Sequence, residues 1–292
     1  MKIRFGVSLG ADIGPDELAG IADHLEAAGV DSLWFSELVY AKAVDPFVGM
    51  AFALARTKRL KVGTSVAVLP GRHPVLVAKQ LASLAALAPK RILPVFGLRS
   101  ALPAERDLFV VPAGARAKVF DESLRLLRTA LRDDVTFDGD YFTVRDARVL
   151  PKPEPPLDIW IGGATPAAFR RIGAYGDGWL GSFLTPGEAG QARRDIDAAA
   201  GAAGRDIEPD HYGISLAVGN GELPAPVLTA IRTRRPDLDP SELVAIDWPA
   251  LHRQLDDYIA AGLTKFVITP AGDVSTADFL EAFVAQLLPR QN

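Results

Sequence analysis

Arg59-Leu-Lys-Val-Gly-Thr-Ser-Val-Ala-Val-Leu-Pro-Gly-Arg-His-Pro74 contains one complete passage from strand to helix. Leu60–Val66 is a short β-branched run, and Pro74 opens a helix whose apolar stripe is Val77, Leu81, Leu84 and Ala88. A buried run followed by an amphipathic segment is the unit from which parallel strands and crossover helices are built. The same unit recurs on both sides. Candidate strands are Ile3–Leu9, Ser32–Phe35, Leu60–Val66, Arg91–Gly97, Leu157–Gly162, Gly178–Gly181, Tyr212–Val218 and Lys265–Thr269. Eight such units predict an α/β fold, a closed (β/α)8 TIM barrel in one domain over residues 1–292.

The spacing of these units is uneven. Long gaps follow the fourth and seventh strands, predicting insertions at about Leu98–Ala117 and Gly219–Ile246, the second punctuated by Pro224, Pro226, Pro236 and Pro240. Both would emerge at the C-terminal face of a barrel, where active sites form. Val135–Val144 reads as a small hairpin turned at Asp138-Gly139 and set apart from the fifth strand by Pro151-Lys-Pro-Glu-Pro-Pro156. Helix signals are ordinary: Asp45 before Pro46 as an N-cap, and Gly29 as a stop after Leu18, Ile21, Ala22 and Leu25.

Composition narrows the chemistry. The 292 residues are 49% hydrophobic and 23% charged, as in ordinary soluble domains, so a sizeable core can form. A net charge of −4 without a cationic run argues against a nucleic-acid partner. The absence of cysteine excludes disulfides, thiolate metal sites and a cysteine nucleophile, so redox chemistry needs a bound organic cofactor. His24, His73, His211 and His252 show no ligand spacing, and no metal site is expected. Met1-Lys-Ile-Arg-Phe5 enters strand-like sequence directly, and no apolar run reaches the roughly 18 residues of a membrane span, so the expected location is cytoplasmic, without a membrane partner.

Four places could carry chemistry. Ile159-Trp-Ile-Gly-Gly-Ala-Thr-Pro166 runs from a strand through two glycines into a helix N-terminus, which suits a phosphate and equally suits a tight turn. Thr64 and Ser65 fall near the end of the third strand, as ligand contacts or as hydroxyls bonded to neighbouring backbone. Glu37 ends the second strand, either as a proton acceptor or heterocycle partner or as one half of a salt bridge. Arg99, just after Phe96-Gly97-Leu98, could hold an anion or solvate a loop.

Taken in order, Trp34-Phe-Ser-Glu37, Val62-Gly-Thr-Ser-Val-Ala-Val-Leu-Pro-Gly-Arg-His-Pro74, Phe120-Asp-Glu-Ser-Leu-Arg-Leu-Leu127, Phe137-Asp-Gly139, Pro151-Lys-Pro153, Ile159-Trp-Ile-Gly-Gly163 and Gly176-Asp-Gly-Trp-Leu180 resemble the luciferase-like monooxygenase superfamily over nearly the whole chain. Phe96-Gly-Leu98 makes it most similar to the actinobacterial branch that uses the deazaflavin coenzyme F420. The resemblance implies a non-prolyl cis peptide at Ser65–Val66 beside Thr64, and a cofactor phosphate on Gly162, Gly163, Ala164 and Thr165. It also implies cofactor contacts from Glu37, Gly97 and Arg99, a small-molecule substrate, and a homodimer.

The activity it implies is hydride transfer between C5 of F420 and a small organic substrate. The alternatives are an FMN-dependent monooxygenase using reduced flavin and oxygen, and a cofactor-binding protein without turnover. Arg72 and Arg99 are the basic side chains expected to meet the anionic tail of F420. Two departures stand out. Ser36-Glu37-Leu38 replaces the Ser-Asp-His of the F420-dependent sugar-phosphate dehydrogenases, which argues against sugar-phosphate oxidation, and Pro94 and Arg99 alter the usually glycine-rich end of the fourth strand.

Overall fold

The β-branched runs pair in parallel. In the computed structural model, which describes residues 2–11 and 13–292, the sheet contains β1 (Arg4–Ser8), β2 (Ser32–Phe35), β3 (Lys61–Thr64), β4 (Ala67–Val68), β5 (Ile92–Leu93) and β6 (Val95–Gly97). A separate hairpin, β7 (Val135–Asp138) and β8 (Thr143–Ala147), precedes β9 (Trp160–Gly162), β10 (Gly178–Ser182), β11 (Tyr212–Val218), β12 (Val244–Ala245) and β13 (Lys265–Pro270). Helices α1 (Pro15–Ala28), α2 (Pro46–Arg56), α3 (Pro74–Leu87), α4 (Arg116–Arg132), α5 (Pro166–Tyr175), α6 (Pro186–Ala202), α7 (Ala225–Arg234), α8 (Trp248–Ala260) and α9 (Thr276–Leu287) lie between them. The reading of the N-terminus included Met1, which lies outside the described residues.

Strand pairing runs β4-β6-β9-β10-β11-β13-β1-β2-β3-β5. The third and fourth strands, expected as single runs Leu60–Val66 and Arg91–Gly97, are each in two pieces. The Ser65–Val66 peptide is cis and separates β3 from β4, while Pro94, which has no N–H for a ladder, separates β5 from β6. β3 pairs with β5 through Val62↔Ile92, and β4 with β6 through Ala67↔Phe96. The two ends of the path are therefore neighbouring halves of two consecutive strands, and the sheet curls round on itself.

Alternation along each strand divides the core. Phe5, Val7, Leu33, Val62, Phe96, Ile161, Tyr212 and Phe266 point outward into the large cluster shared with the helices. Trp34, Val95, Trp160, Leu180 and Val267 form a second cluster inside the curl. Two tryptophans fit there because glycines face them: a Cβ on Gly6 would sit 2.3 Å from Trp34 Nε1, and one on Gly178 would sit 2.4 Å from Trp160 Cε2. Large and small residues interdigitate to fill the space, as dense packing requires. Beneath them, Asp31 accepts from Lys61 Nζ at 3.0 Å and Lys265 Nζ at 2.7 Å. Burial alone would raise the Asp31 carboxyl, but the charges of Lys265 and Lys61 and their hydrogen bonds hold it at about 2.

Two excursions rise beyond the C-terminal strand ends. Residues 98–115 carry a 3-10 turn, Pro103–Leu108, ahead of α4; after β11 come α7, a 3-10 turn at Pro240–Glu242, and β12, which pairs with β11 through Ala217↔Val244. The hairpin β7–β8 is fastened to α4 by a buried carboxylate. Glu122 accepts the N–H groups of Asp140, Tyr141 and Phe142 at 2.7–2.9 Å. A Cβ on Gly139 would meet Glu122 Oε1 at 2.3 Å, so a glycine at 139 is needed for that approach. Among the described residues, no helix is long and apolar enough to cross a membrane.

Candidate functional site

Inward positions change character toward the C-terminal ends of the strands. On β10 the step is from Leu180 to Ser182, and on β11 from Gly213 to Ser215. Side chains that small cannot fill the curl, and a cavity of about 480 Å³ opens above the tryptophan layer. Ser36, Ser65, Val66, Ser182 and Ser215 line it from the strands, and the excursion after β6 adds Arg99, Ser100 and Arg106. Its far side is closed by Phe183 and by Arg234 of α7.

Val66 forms the floor. A Cβ on Gly97 would come within 2.5 Å of Val66 Cγ2, and one on Gly162 within 3.0 Å of Val66 Cγ1. Val66 thus occupies the room that side chains of β6 and β9 would need, presenting an apolar, branched surface to the cavity.

The residues behind this floor are engaged with the backbone. Thr64 is fully buried; its hydroxyl donates to Val95 O at 2.6 Å and accepts from Val95 N at 2.8 Å. Of the two readings open for this residue the backbone one holds, and Thr64 does not line the cavity. Ser36 Oγ donates to Ser65 O at 3.2 Å, and Ser8 Oγ and Ser36 Oγ lie 3.4 Å and 3.3 Å from Ser65 Oγ. These hydroxyls brace Ser65 from two strands.

Glu37 reaches the cavity wall but is not free. Oε2 accepts from Val68 N at 2.6 Å and from Arg72 Nη1 at 2.9 Å, and Arg72 Nη2 donates to Oε1. Arg72 also donates to Val68 O at 2.6 Å and stacks 5.1 Å over the ring of Phe109. Glu37, offered as a catalytic acceptor, is the buried half of a salt bridge that clamps β4, and Arg72, offered to an anionic tail, is turned inward to that bridge. Arg99 does face the cavity and is exposed.

The strand-to-helix turn after β9 is built as its sequence suggests. Thr165 caps α5, its hydroxyl accepting from Ala168 N at 3.2 Å, and Trp179 Nε1 donates to Gly163 O at 2.8 Å. Gly163 has φ +138°, which an L side chain rarely adopts, and a Cβ there would also meet Ala168 Cβ at 2.7 Å. Gly162 touches the floor through Val66, whereas Gly163, Ala164 and Thr165 stand outside the cavity lining at the adjoining strand end.

Arg106 and Arg234 were missed. They lie in the two excursions, where no periodicity or motif marks a residue as facing inward. The only available signal was their type and place, cationic residues in insertions at the ligand-bearing face. Ser182 and Ser215 were legible in principle, two residues beyond apolar or small inward positions on strands already recognised.

Parallel strands alternating with helices, with small polar residues around one cavity at the C-terminal strand ends, define a barrel-like α/β scaffold for a bound small molecule. The chain belongs to the luciferase-like monooxygenase family, matching it over residues 1–228. Among curated relatives it is 30% identical over 196 residues to the F420-dependent glucose-6-phosphate dehydrogenase of Kineococcus radiotolerans, covering 61% of this chain and 56% of that protein. It is 28% identical to the same-named enzyme of Beutenbergia cavernae, covering 99% of this chain and 97% of that protein. The chain thus spans just over half the length of the first of these relatives. In fold it is similar to a solved F420-dependent secondary alcohol dehydrogenase in complex with an F420–acetone adduct, at TM-score 0.85 and 19% identity over 100% of both chains. A monooxygenase from Streptomyces bottropensis matches at TM-score 0.80 and 20% identity, over 99% of each.

Proposed function

We propose that this protein is a coenzyme F420-dependent oxidoreductase, one closed (β/α)8 barrel over residues 1–292 with its excursions after the fourth and seventh strands forming the substrate walls. The observation that carries the reading is the floor: Val66, wedged between Gly97 and Gly162, offers an apolar seat in a cavity of about 480 Å³. A planar tricyclic ring fits such a seat, and any Cβ on either glycine would displace it. The α5 N-terminus beside Gly162–Thr165 supplies backbone N–H groups and the positive end of a helix dipole for the cofactor phosphate. When bound, F420 supplies two-electron hydride transfer at C5.

The chain's own part is to position and enclose. Ser36, Ser65, Ser182 and Ser215 offer hydroxyl groups around the seat, and the Glu37–Arg72 bridge holds β4 so that Val66 stays in place. With Leu38 where a histidine stands in the sugar-phosphate dehydrogenases, and Glu37 neutralised by Arg72, the described residues that line the cavity include no free strong base. That suits a hydride step in which orientation of the two carbons does most of the work. Outward-facing Val48, Phe52, Leu76 and Leu87 on α2 and α3 support a homodimer.

The test is parallel titration with F420 and FMN, followed by rapid-mixing oxidation of the reduced cofactor with candidate acceptors. Tighter binding of F420 with substrate-dependent hydride transfer is expected. Tighter binding of FMN with substrate-dependent oxygen consumption overturns the proposal in favour of a monooxygenase.

A further inference from the structure

Three arginines face one cavity, and among the described residues none of them has a carboxylate partner. Arg99 and Arg106 come from the excursion after β6, and Arg234 from the last turn of α7. Arg106 is half-buried and Arg99 and Arg234 are exposed, in a chain that carries −4 as a whole and pairs most of its other half-buried arginines. Arg235, the very next residue, bonds Glu188 and Asp237. Arg72 and Arg128, both half-buried, bond Glu37 and Asp177. Among the described residues no carboxylate lies within ion-pair distance of Arg99, Arg106 or Arg234. Glu37, the one carboxylate among the described residues on the cavity wall, is already matched by Arg72, and the nearby buried Glu105 accepts from Ser100 Oγ and Tyr40 N.

Two further observations point the same way. Arg106 Nε is buried without any hydrogen-bond partner, and a buried donor of this kind costs free energy until something accepts from it. Arg234 lies 4.6 Å over the ring of Phe183, a non-glycine residue held at φ +56°, which fixes the guanidinium at the cavity edge. Burial lowers its pKa and the charge of Arg106 lowers it further, so the two cations repel each other across the site. Bringing two unpaired guanidiniums together is unfavourable unless an anion joins them, and the planar fork of arginine is matched to carboxylate and phosphate oxygens.

We infer that Arg106 and Arg234, assisted by Arg99, form an oxyanion subsite for the substrate, which is therefore a small organic molecule bearing a carboxylate or phosphate group. This rests on the reading of the cavity as the seat of a hydride-transfer cofactor, and places the substrate's anionic end opposite the Val66 floor, under the two excursions. The same chemistry could be met by the glutamate tail of F420, so the experiment separates the two sources.

Isothermal titration is carried out with inorganic phosphate, with F420 lacking its glutamates and with tailed F420, on the wild type and on Arg106→Gln/Arg234→Gln. Phosphate binding to the wild type, weakened about tenfold or more in the double variant, with both forms of F420 bound within about twofold of wild type, supports the assignment. No phosphate binding, or binding indifferent to the substitutions, overturns it. Loss of tailed F420 alone also overturns it, and assigns the arginines to the cofactor tail. If the glutamine variant does not fold, Arg106→Lys/Arg234→Lys decides: charge without the fork must weaken phosphate, and phosphate affinity equal to wild type refutes a bidentate site. Failure of both forms of F420 to bind the wild type, with arginine-dependent phosphate binding intact, sinks the cofactor reading and leaves the anion site standing.

Discussion

Gly97→Ala tests the floor directly. The added methyl carbon would lie 2.5 Å from Val66 Cγ2, against the roughly 3.5–4.0 Å at which carbons rest, so one of them must give about an ångström. The side of Val66 that faces Gly162 meets no side chain there, so Val66 can give toward β9 or into the cavity. Overpacking of this kind costs about 1–3 kcal/mol, partly offset by up to about 1 kcal/mol from the lost flexibility of glycine in the unfolded chain. If the floor holds, the cost appears as a fall in melting temperature; if Val66 rises into the cavity, it appears as a loss of F420 affinity, about tenfold for each 1.4 kcal/mol. Gly162→Ala, with its contact at 3.0 Å, is expected to lose less, and Gly10→Ala, which meets nothing within 4 Å, to keep its affinity and melt no lower than wild type. The assays are thermal melts and fluorescence titration with F420 across the three variants. Adding Val66→Ala to Gly97→Ala restores room and must recover most of the loss, a coupling that a double-mutant cycle measures. If Gly97→Ala melts and binds like Gly10→Ala, or if Val66→Ala brings no recovery, the floor as described here is refuted.

Other perturbations reach the supports of the site. Asp31→Asn leaves Lys265 buried without its partner and is expected to destabilise by about 3–5 kcal/mol in chemical denaturation; a loss below about 1 kcal/mol speaks against the cluster. Because the Asp31 carboxyl is held at about 2, below its unfolded value, its contribution of about 2 kcal/mol is complete above roughly pH 5 and disappears as pH falls toward 2. Acid unfolding of Asp31→Asn should accordingly lose that part of the pH dependence. Glu37→Gln is expected to lower stability by about 3 kcal/mol while leaving the shape of the pH–rate profile unchanged; an altered profile in a fully stable variant would restore Glu37 as a proton-transfer group. Glu122→Ala strips three N–H groups of their acceptor and is expected to cost about 1–3 kcal/mol and to speed hydrogen exchange at Asp140–Phe142.

How much could be read in advance follows from the range of the interactions involved. Strand and helix alternation, the caps at Asp45 and Thr165 and the stop at Gly29 depend on neighbours a few residues away, and the local sequence expresses them. Splitting of the third and fourth strands was half visible: Pro94 announces a ladder gap, but β4 exists only because Ala67 finds Phe96 across the sheet. Glu37 and Arg72 are 35 positions apart, and whether a carboxylate at a strand end serves a ligand or a salt bridge depends on a partner that periodicity cannot name. The same holds for Thr64, whose hydroxyl is bonded to Val95 31 residues on.

The cavity arginines show why the site, more than the fold, escapes a linear reading. Arg106 and Arg234 lie 128 residues apart in excursions that obey no strand or helix period of the core, so each looks like an ordinary solvated cation in its own segment. Proximity gives them meaning. Two guanidiniums that repel each other, one with a buried Nε lacking an acceptor, make sense only as a pair awaiting a third group. A barrel separates these tasks physically. The strands and their tryptophan layer carry the stability and set the floor, while the excursions, packed outside the barrel's own core, can change their exposed charged residues at little cost to the fold. Under the proposed function the floor constrains the seat of the cofactor, and the arginines over it are where this chain's choice of substrate is to be sought.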